Sequence, residues 1–452
     1  MKIVIVGCGK IGSTILANLV HEGHDIVAID SNAAQLSDIT NIYDVMGLCG
    51  NGADSDTLME ADADKAELFI AVTGSDELNM LSCFLARKLG AQNTIARIRN
   101  PEYNDRSLAF MKEQLELSMS INPEYLAAKE LFNILKFPSA VKIDTFSRGN
   151  LEMIEFRLKP DSALDGITLM QMREKSKAKV LVCYVRRENE VFIPDGNFAL
   201  KGGDNIGLTA QPQELEKFFR SLGLFKKRAK NVMLLGGSRT SYYLAEMLTD
   251  IGNSVKIIEM DQKICQEFSE LLPKAVVING NGAAQELLLE EGLRSLDAFV
   301  SLTGMDEENI LISIFAASQN VPKVISKVNS DELIAMAENL GLDCIVSPKK
   351  IIADVLVRYA RALQNSLGSN IETLYQLADG KAEALEFNVK SDSKVIGIPL
   401  KELSIKSNIL IAGIIRNRRP LIPAGDDMIL SGDNVVVIAA EHKLQDLNDI
   451  LR

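Results

Sequence analysis

Apolar positions fall into two alternating textures along the chain. The runs Val4 to Val6, Ile26 to Ile29, Leu68 to Val72 and Thr94 to Ile98 are apolar almost without a break, the pattern of strands buried on both faces. Between them apolar residues recur at helical spacing, so the stretch reads as successive βαβ units. Such units build a parallel, doubly wound sheet. After about Ala140 the texture changes to short strands and turns: Leu151 to Leu158, Val180 to Val185, Ile193-Pro-Asp-Gly196 and Leu200-Lys-Gly-Gly-Asp204. This predicts a small, β-rich α+β domain. Helical periodicity at Pro123 to Lys136 and at Pro348 to Leu367 predicts two connecting helices.

The whole pattern occurs twice. Gly7 matches Gly236 and Asp30 matches Glu259 at an offset of 229, while Thr73-Gly74 matches Thr303-Gly304 and Arg97 matches Lys327 at 230. Pro194-Asp195-Gly196 and Gly203-Asp204 recur, 229 residues on, as Pro423-Ala424-Gly425 and Gly432-Asp433. A duplicated two-domain unit follows. The expected fold is α/β, with two doubly wound Rossmann-like parallel-sheet domains, each followed by a small α+β domain. The spans are 1–122 for the first Rossmann domain, 123–140 for a connecting helix and 141–225 for the first small domain. The second copy has 230–347, 348–370 and 371–452 in the same roles.

Gly7-Cys8-Gly9-Lys10-Ile11-Gly12 leaves the first strand and opens the first helix, and Asp30 ends the next strand eighteen residues after Gly12. In that context the first glycine permits the tight turn, the second lets a pyrophosphate approach the backbone, and the third packs helix on strand. The helix N-terminus favours the anion. Asp30 is placed to accept hydrogen bonds from ribose hydroxyls and to repel a 2′-phosphate, which favours NAD or an adenosine nucleotide over NADP. Thr73-Gly74 follows the fourth strand, where open α/β sheets bind ligands and where the next helix also needs its N-cap. Arg97 lies in a strand, where a charge needs a partner; its two readings are ligand phosphates and an acidic neighbour. Asn51-Gly52-Ala53 either lines the adenine side or makes the turn before a helix. In the second copy, Gly236-Gly237-Ser238-Arg239-Thr240-Ser241 carries Ser in place of the second and third glycines, and Glu259 keeps the acidic position. Weak or altered nucleotide binding and a purely structural pseudo-site both fit that loop.

Composition narrows the function classes. A chain of 452 residues should divide into two to four compact units. A net charge of -12 opposes a phosphate backbone, and the most basic run, Lys226, Lys227, Arg228 and Lys230, reads as a solvated linker. Nucleic acid is therefore not an expected partner. The six cysteines are scattered without a C-x-x-C pair, which points to a reducing compartment. The first strand begins at once with no secretory pattern, and the apolar runs are too short to span a bilayer. The expected location is cytoplasmic, with any membrane contact made through a partner. His21 and His24 are expected at the end of the first helix, where a cation complements the dipole, and His442 lies near the carboxyl terminus, none beside a nucleophile. P-loop, H-E-x-x-H and G-x-S-x-G motifs are absent from the sequence, so no catalytic residue and no metal site is expected. The rival readings are an NAD-dependent oxidoreductase and a nucleotide sensor for another ion transporter.

The fingerprint Val4-Ile-Val-Gly-Cys-Gly-Lys-Ile-Gly12, the segments Thr73-Gly-Ser-Asp-Glu-Leu-Asn79 and Ala96-Arg-Ile-Arg-Asn-Pro-Glu-Tyr103, and the repeated PDG/GGD domain resemble the tandem RCK (KTN) and TrkA-C arrangement of Trk potassium-transporter regulatory subunits. The resemblance covers essentially the whole chain. It implies lobes that assemble into a ring beneath a membrane potassium channel or transporter of the TrkH or TrkG type, peripheral to the cytoplasmic face of the membrane. It implies that NAD or NADH, or ATP and ADP, change the ring's shape to gate transport. A chain with two lobes would complete an eight-lobed ring as a homotetramer. The nucleotide contacts implied are Gly7 to Gly12, Asp30, Thr73-Gly74 and Arg97.

Overall fold

The computed structural model describes residues 1–452 except 102, 104, 147–150, 161, 189, 226, 366–370 and 379, with the backbone alone at 105, 106, 365, 372 and 373. Lys226 of the basic run and the end of the second connecting segment lie outside the described residues. The first unit runs β1 (Lys2–Val6), α1 (Lys10–His21), β2 (Asp25–Asp30), α2 (Ala33–Ile42), β3 (Met46–Cys49), α3 (Ser55–Glu60), β4 (Leu68–Ala71), α4 (Asp76–Leu89), β5 (Thr94–Arg97), α5 (Asp105–Gln114) and β6 (Met119–Ile121). All neighbouring strands are parallel, in the order β3-β2-β1-β4-β5-β6. That is the doubly wound order, with its switch point between β1 and β4. Ile3 to Val6 are 0 to 2% exposed, which is why the strand reads as a continuous apolar run.

Helix α6 (Pro123–Lys136) starts on a proline, with the Asn122 side chain accepting the Tyr125 N–H. It leads to β7 (Lys142–Phe146), β8 (Leu151–Arg157), α7 (Leu169–Ser176), β9 (Leu181–Arg187), β10 (Glu190–Phe192), β11 (Asn205–Ala210) and α8 (Pro212–Ser221). The strands form an antiparallel sheet in the order β10-β9-β11-β8-β7. The second unit repeats the plan with β12 (Asn231–Leu235), α9 (Arg239–Asp250), β13 (Ser254–Glu259), α10 (Gln262–Leu271), β14 (Val276–Asn279), α11 (Gln285–Glu290), β15 (Ala298–Ser301), α12 (Asp306–Ser318), β16 (Lys323–Lys327), α13 (Asp331–Asn339) and β17 (Ile345–Val346). Helix α14 (Pro348–Asn365) and β18 (Ile371–Leu377), β19 (Ala382–Asn388), β20 (Ile409–Arg416), β21 (Arg419–Leu421) and β22 (Asn434–Ala440) complete it. Its sheets have the same orders, β14-β13-β12-β15-β16-β17 and β18-β19-β22-β20-β21.

The two connecting helices do more than connect. Ala128, Leu131, Ile134 and Leu135 of α6 share a core with Val232, Leu234, Leu244 and Leu248 of the second Rossmann lobe. Ile352, Leu356, Val357 and Ala360 of α14 share one with Ile3, Ile5, Ile15 and Leu16 of the first. Each unit therefore lends its helix to the other. The small domains also join, since Phe146, Leu151 and Tyr184 pack in one cluster with Leu377, Ala384 and Ile438. A Cβ at Gly413 would lie 2.4 Å from Leu151 Cδ2, which shows how closely the two sheets approach there. In the PDG/GGD motif, Asp204 and Asp433, 1% and 2% exposed, accept Arg187 and Arg416 at 2.8 Å. The repeated aspartate is a structural brace.

One histidine departs from expectation. His21 does stand in the last turn of α1. His24 lies beyond the helix, 8% exposed, with both ring nitrogens unpartnered, and burial pulls its pKa down. It is a neutral core residue, not a cation on the helix dipole. Among the described residues, no helix is long and apolar enough to cross a membrane, and all six cysteines are free.

The seam between the units encloses a cavity of about 420 Å³ bordered by Glu130, Lys142, Asp144, Asp354 and Arg358. Burial pushes the Glu130 carboxyl up to about 7; Asp144 and Asp354 add to this and Lys142 opposes it. The folded chain thus holds a proton that the unfolded chain releases near 4.5, so this contribution to stability is present at acid pH and lost as pH rises through about 7. Glu130→Gln should flatten the fall in stability between pH 5 and 8, read by urea unfolding; an unchanged pH slope would refute the assignment.

The exchanged helices give a second expectation. Leu131→Ala should cost about 2–5 kcal/mol, as for other buried leucines. It should also speed amide exchange in β12 and β13, although Leu131 belongs to the first unit. Protection lost only within the first lobe would contradict the shared core.

Candidate functional site

The chain leaves β1 into Gly7, whose φ is +95°; a Cβ there would lie 2.8 Å from the Thr73 nitrogen, so the turn demands glycine. A Cβ at Gly12 would lie 1.8 Å from the Gly7 carbonyl oxygen, which is how closely α1 seats on the loop. At Gly9 a Cβ would meet nothing within 4 Å. Gly9 is also the N-cap of α1 and offers no side-chain acceptor, so the first-turn N–H groups face open space with the positive end of the helix dipole.

Asp30 braces this loop. Its Oδ2 accepts the Cys8 N–H at 2.6 Å and its Oδ1 the Asn32 N–H at 2.8 Å, leaving lone pairs free on both oxygens. The Cys8 thiol turns into the core, where burial, with Asp30 adding, pushes it up to about 12. Cys8 therefore serves through its backbone alone. On the facing wall, Asn79, fully buried, accepts both the N–H and the hydroxyl of Thr73 at 2.7 Å and donates to the Arg97 carbonyl at 2.9 Å. It staples the ends of β4 and β5 together. Asp76 accepts the N–H groups of Arg99 and Asn100, both at 2.8 Å. Arg97 is 9% exposed, its guanidinium 3.5 Å from Glu124 and its Nε unpartnered. Burial pulls its pKa below the ordinary value, against the pull of Glu124.

These elements enclose a cleft of about 1050 Å³ at the carboxyl ends of β1 and β4. Gly7, Gly9, Lys10, Ile11, Asp30, Asn51, Gly52, Thr73, Gly74 and Arg97 all line it. Cys8, Gly12 and Ala53 do not: the first two point into the core or the helix seat, and Ala53 only donates its N–H to the Asn51 side chain at 3.0 Å. Asn51 thereby makes its turn and lines the cleft together. The wall also includes Asp306, Asn329, Ser330, Pro348 and Lys349 of the second unit, which sequence reading did not single out. Asn79 and Asp76 were missed as well, although Asn309 and Asp306 repeat them at the offset of 230 and make matching bonds.

The second loop is built differently. Glu259 repeats the brace, accepting the N–H groups of Gly237 at 2.5 Å and Asp261 at 2.7 Å. Ser238, however, caps α9 by accepting the Ser241 N–H at 3.2 Å, and the Ser241 hydroxyl donates to the Gly236 carbonyl at 2.5 Å. Ser238 thus satisfies, from within the chain, a first-turn N–H of a helix whose counterpart α1 has no side-chain cap. Arg239 is exposed and Thr240 is buried.

Comparison with known proteins bears on this geometry. The model of the TrkA-N domain matches residues 3–114 and 232–348, and that of the TrkA-C domain matches 153–223 and 384–452. A relative named Trk system potassium uptake protein TrkA homolog 1, from Methanosarcina mazei, is 31% identical over 449 residues, covering 97% of each chain. Among solved structures, the GsuK RCK domain superposes with a TM-score of 0.63 at 17% identity, over 97% of this chain and 92% of that one. The GsuK channel bound to NAD gives 0.63 at 16% identity, over 97% and 77%. These likenesses establish the RCK fold for both halves.

Asn79→Ala would strand the Thr73 N–H and the Arg97 carbonyl in the core. The expected cost is about 1–3 kcal/mol for each buried group left unpaired, seen as a lower Tm in calorimetry. A Tm unchanged from wild type would mean the staple carries no strain of the cleft wall.

Proposed function

This chain belongs to the TrkA family of Trk potassium uptake proteins, and on that premise we propose that it is a nucleotide-binding regulatory subunit that gates a membrane potassium transporter. The observation that carries the reading is the uncapped N-terminus of α1, opening on a cleft that also holds Asp30 and Arg97. An anion is the natural complement of that helix end, and a ribose that of the acid beside it. Asp30 favours an unphosphorylated ribose, hence NAD, NADH or an adenosine phosphate. The NAD carried by the GsuK channel is in keeping with this choice.

The work is done by binding, not by chemistry. A ligand biases transport only as far as it prefers one of two shapes of the assembly. Self-association into a ring, with four chains supplying eight lobes, accounts for the exposed Leu81 of α4 and its counterpart Leu311 of α12, 48% and 67% exposed at equivalent positions. Membrane attachment then comes through the transporter, on the cytoplasmic face.

Titration calorimetry of NADH, NAD, ADP and ATP against wild type and Asp30→Ala tests the reading, with mass followed by light scattering. Wild type should bind at least one of them, Asp30→Ala should weaken that binding by about tenfold or more through loss of ribose bonds and loop brace, and NADH should persist unconsumed. No binding, or NADH turnover with a metabolite, would overturn it.

A further inference from the structure

The first cleft is closed on one side by the other half of the chain, and the residues that close it differ in what they have left to offer. Asp306 accepts the N–H groups of Asn329 and Ser330 at 2.7 and 2.9 Å, and Ser330 caps α13, so these three are committed to holding their own loop. Lys349 is not so bound. Its side chain is 19% exposed, and its partner is Asp331 at 3.5 Å, a carboxylate that is 65% exposed and also paired with Lys350 at 3.0 Å. Lys349 stands in the first turn of the eighteen-residue α14, where its charge adds to the positive end of the helix dipole. Across the same cleft Arg97, nine-tenths buried, holds an unpartnered Nε. Of the acids on the wall, Asp306 is committed to two backbone N–H groups, and Asp30 accepts two others while keeping lone pairs for a ribose. Positive charge therefore faces the cleft from both halves of the chain.

We infer that Lys349 of the second unit grips the free terminal phosphate of an adenosine diphosphate or triphosphate held in the first cleft, and so selects these ligands over a dinucleotide. The inference rests on the reading of this cleft as a nucleotide site. The α1 N-terminus takes the phosphates next to the ribose; in NAD both are esterified to a ribose and neither ends free, whereas ADP and ATP each end in an unesterified phosphate. A terminal phosphate has a free end, which draws Lys349 from its exposed partner Asp331. The ligand then bridges the two units instead of resting on one.

The test is calorimetry of ATP, ADP and NAD against the full chain, its Lys349→Ala and Lys349→Arg variants, and Asp331→Asn. Lys349→Ala should weaken ATP and ADP by about five- to tenfold, the size of one charge-assisted bond at a partly exposed site, and NAD by less than about twofold. Lys349→Arg should restore most of the loss. Asp331→Asn, which removes the competing carboxylate, should tighten ATP, a gain that damage to the fold would not produce. If NAD binds and responds to Asp30→Ala while ATP is indifferent to Lys349, or all three ligands weaken equally, the inference fails and the nucleotide reading stands. If none of the three binds the wild type, both fail together.

Discussion

The structure depends on one exchange: each Rossmann sheet has an apolar helical layer completed by a helix from the other unit. A parallel sheet must be covered on both faces to satisfy its continuous apolar strands. The first lobe buries Ile3, Ile5, Ile15 and Leu16 against α14, and the second buries Val232, Leu234 and Leu244 against α6. Neither lobe has its full core without the other. The two halves are thus one folding problem, although the repeat presents them as two copies of an independent unit.

That exchange also makes the cleft what it is. At about 1.5 Å per residue, the eighteen residues of α14 form a strut of about 27 Å. Its first turn, at Pro348 and Lys349, stands on the cleft wall. Further along, Arg361 pairs with Glu22 at the end of α1 at 2.5 Å and with Glu383 of the second small domain at 2.8 Å. The other end of α1 is the glycine loop. So α1 and α14 are pinned together at one end and border the cleft at the other, and a ligand that moved the loop would act on a frame reaching the small domains. Coupling of this kind needs a contiguous packed path and two arrangements of it; the frame supplies the path.

Much of this was legible in the residues, and the exceptions have a common cause. Continuous apolar runs gave the parallel strands, because burial on both faces leaves no room for alternation. The glycine spacing located the loop, because the positive φ at Gly7 and the contact of Gly12 with the Gly7 carbonyl are set within the loop itself. Periodicity marked α6 and α14 as amphipathic helices but could not say whose sheet each would cover, since an apolar stripe carries no address. Asn79 reads as an ordinary helical residue until the fold brings the ends of β4 and β5 within its reach. Arg97 had two readings in sequence, and the fold shows the acidic neighbour: Glu124 lies 3.5 Å from the guanidinium, while the Nε stays unpartnered beside the cleft. His24 was misjudged because a residue placed at a helix end by sequence lies here three residues beyond it, covered by tertiary packing.

The asymmetry of the two loops explains why duplication within one chain differs from pairing two identical chains. The second half keeps each structural device of the first: the acid brace at Glu259, the staple at Asn309 and the loop clamp at Asp306. What differs is the helix end, where Ser238 accepts the Ser241 N–H, a donor that has no side-chain acceptor at the corresponding place in α1. A serine cap stabilises its helix by about 1 kcal/mol without any ligand, a contribution that the glycine N-cap of α1 does not make. In a homodimer one sequence would have to serve as both site and wall. Fused copies are free to diverge, as the serine-capped second loop and the second-unit residues on the wall of the first cleft illustrate.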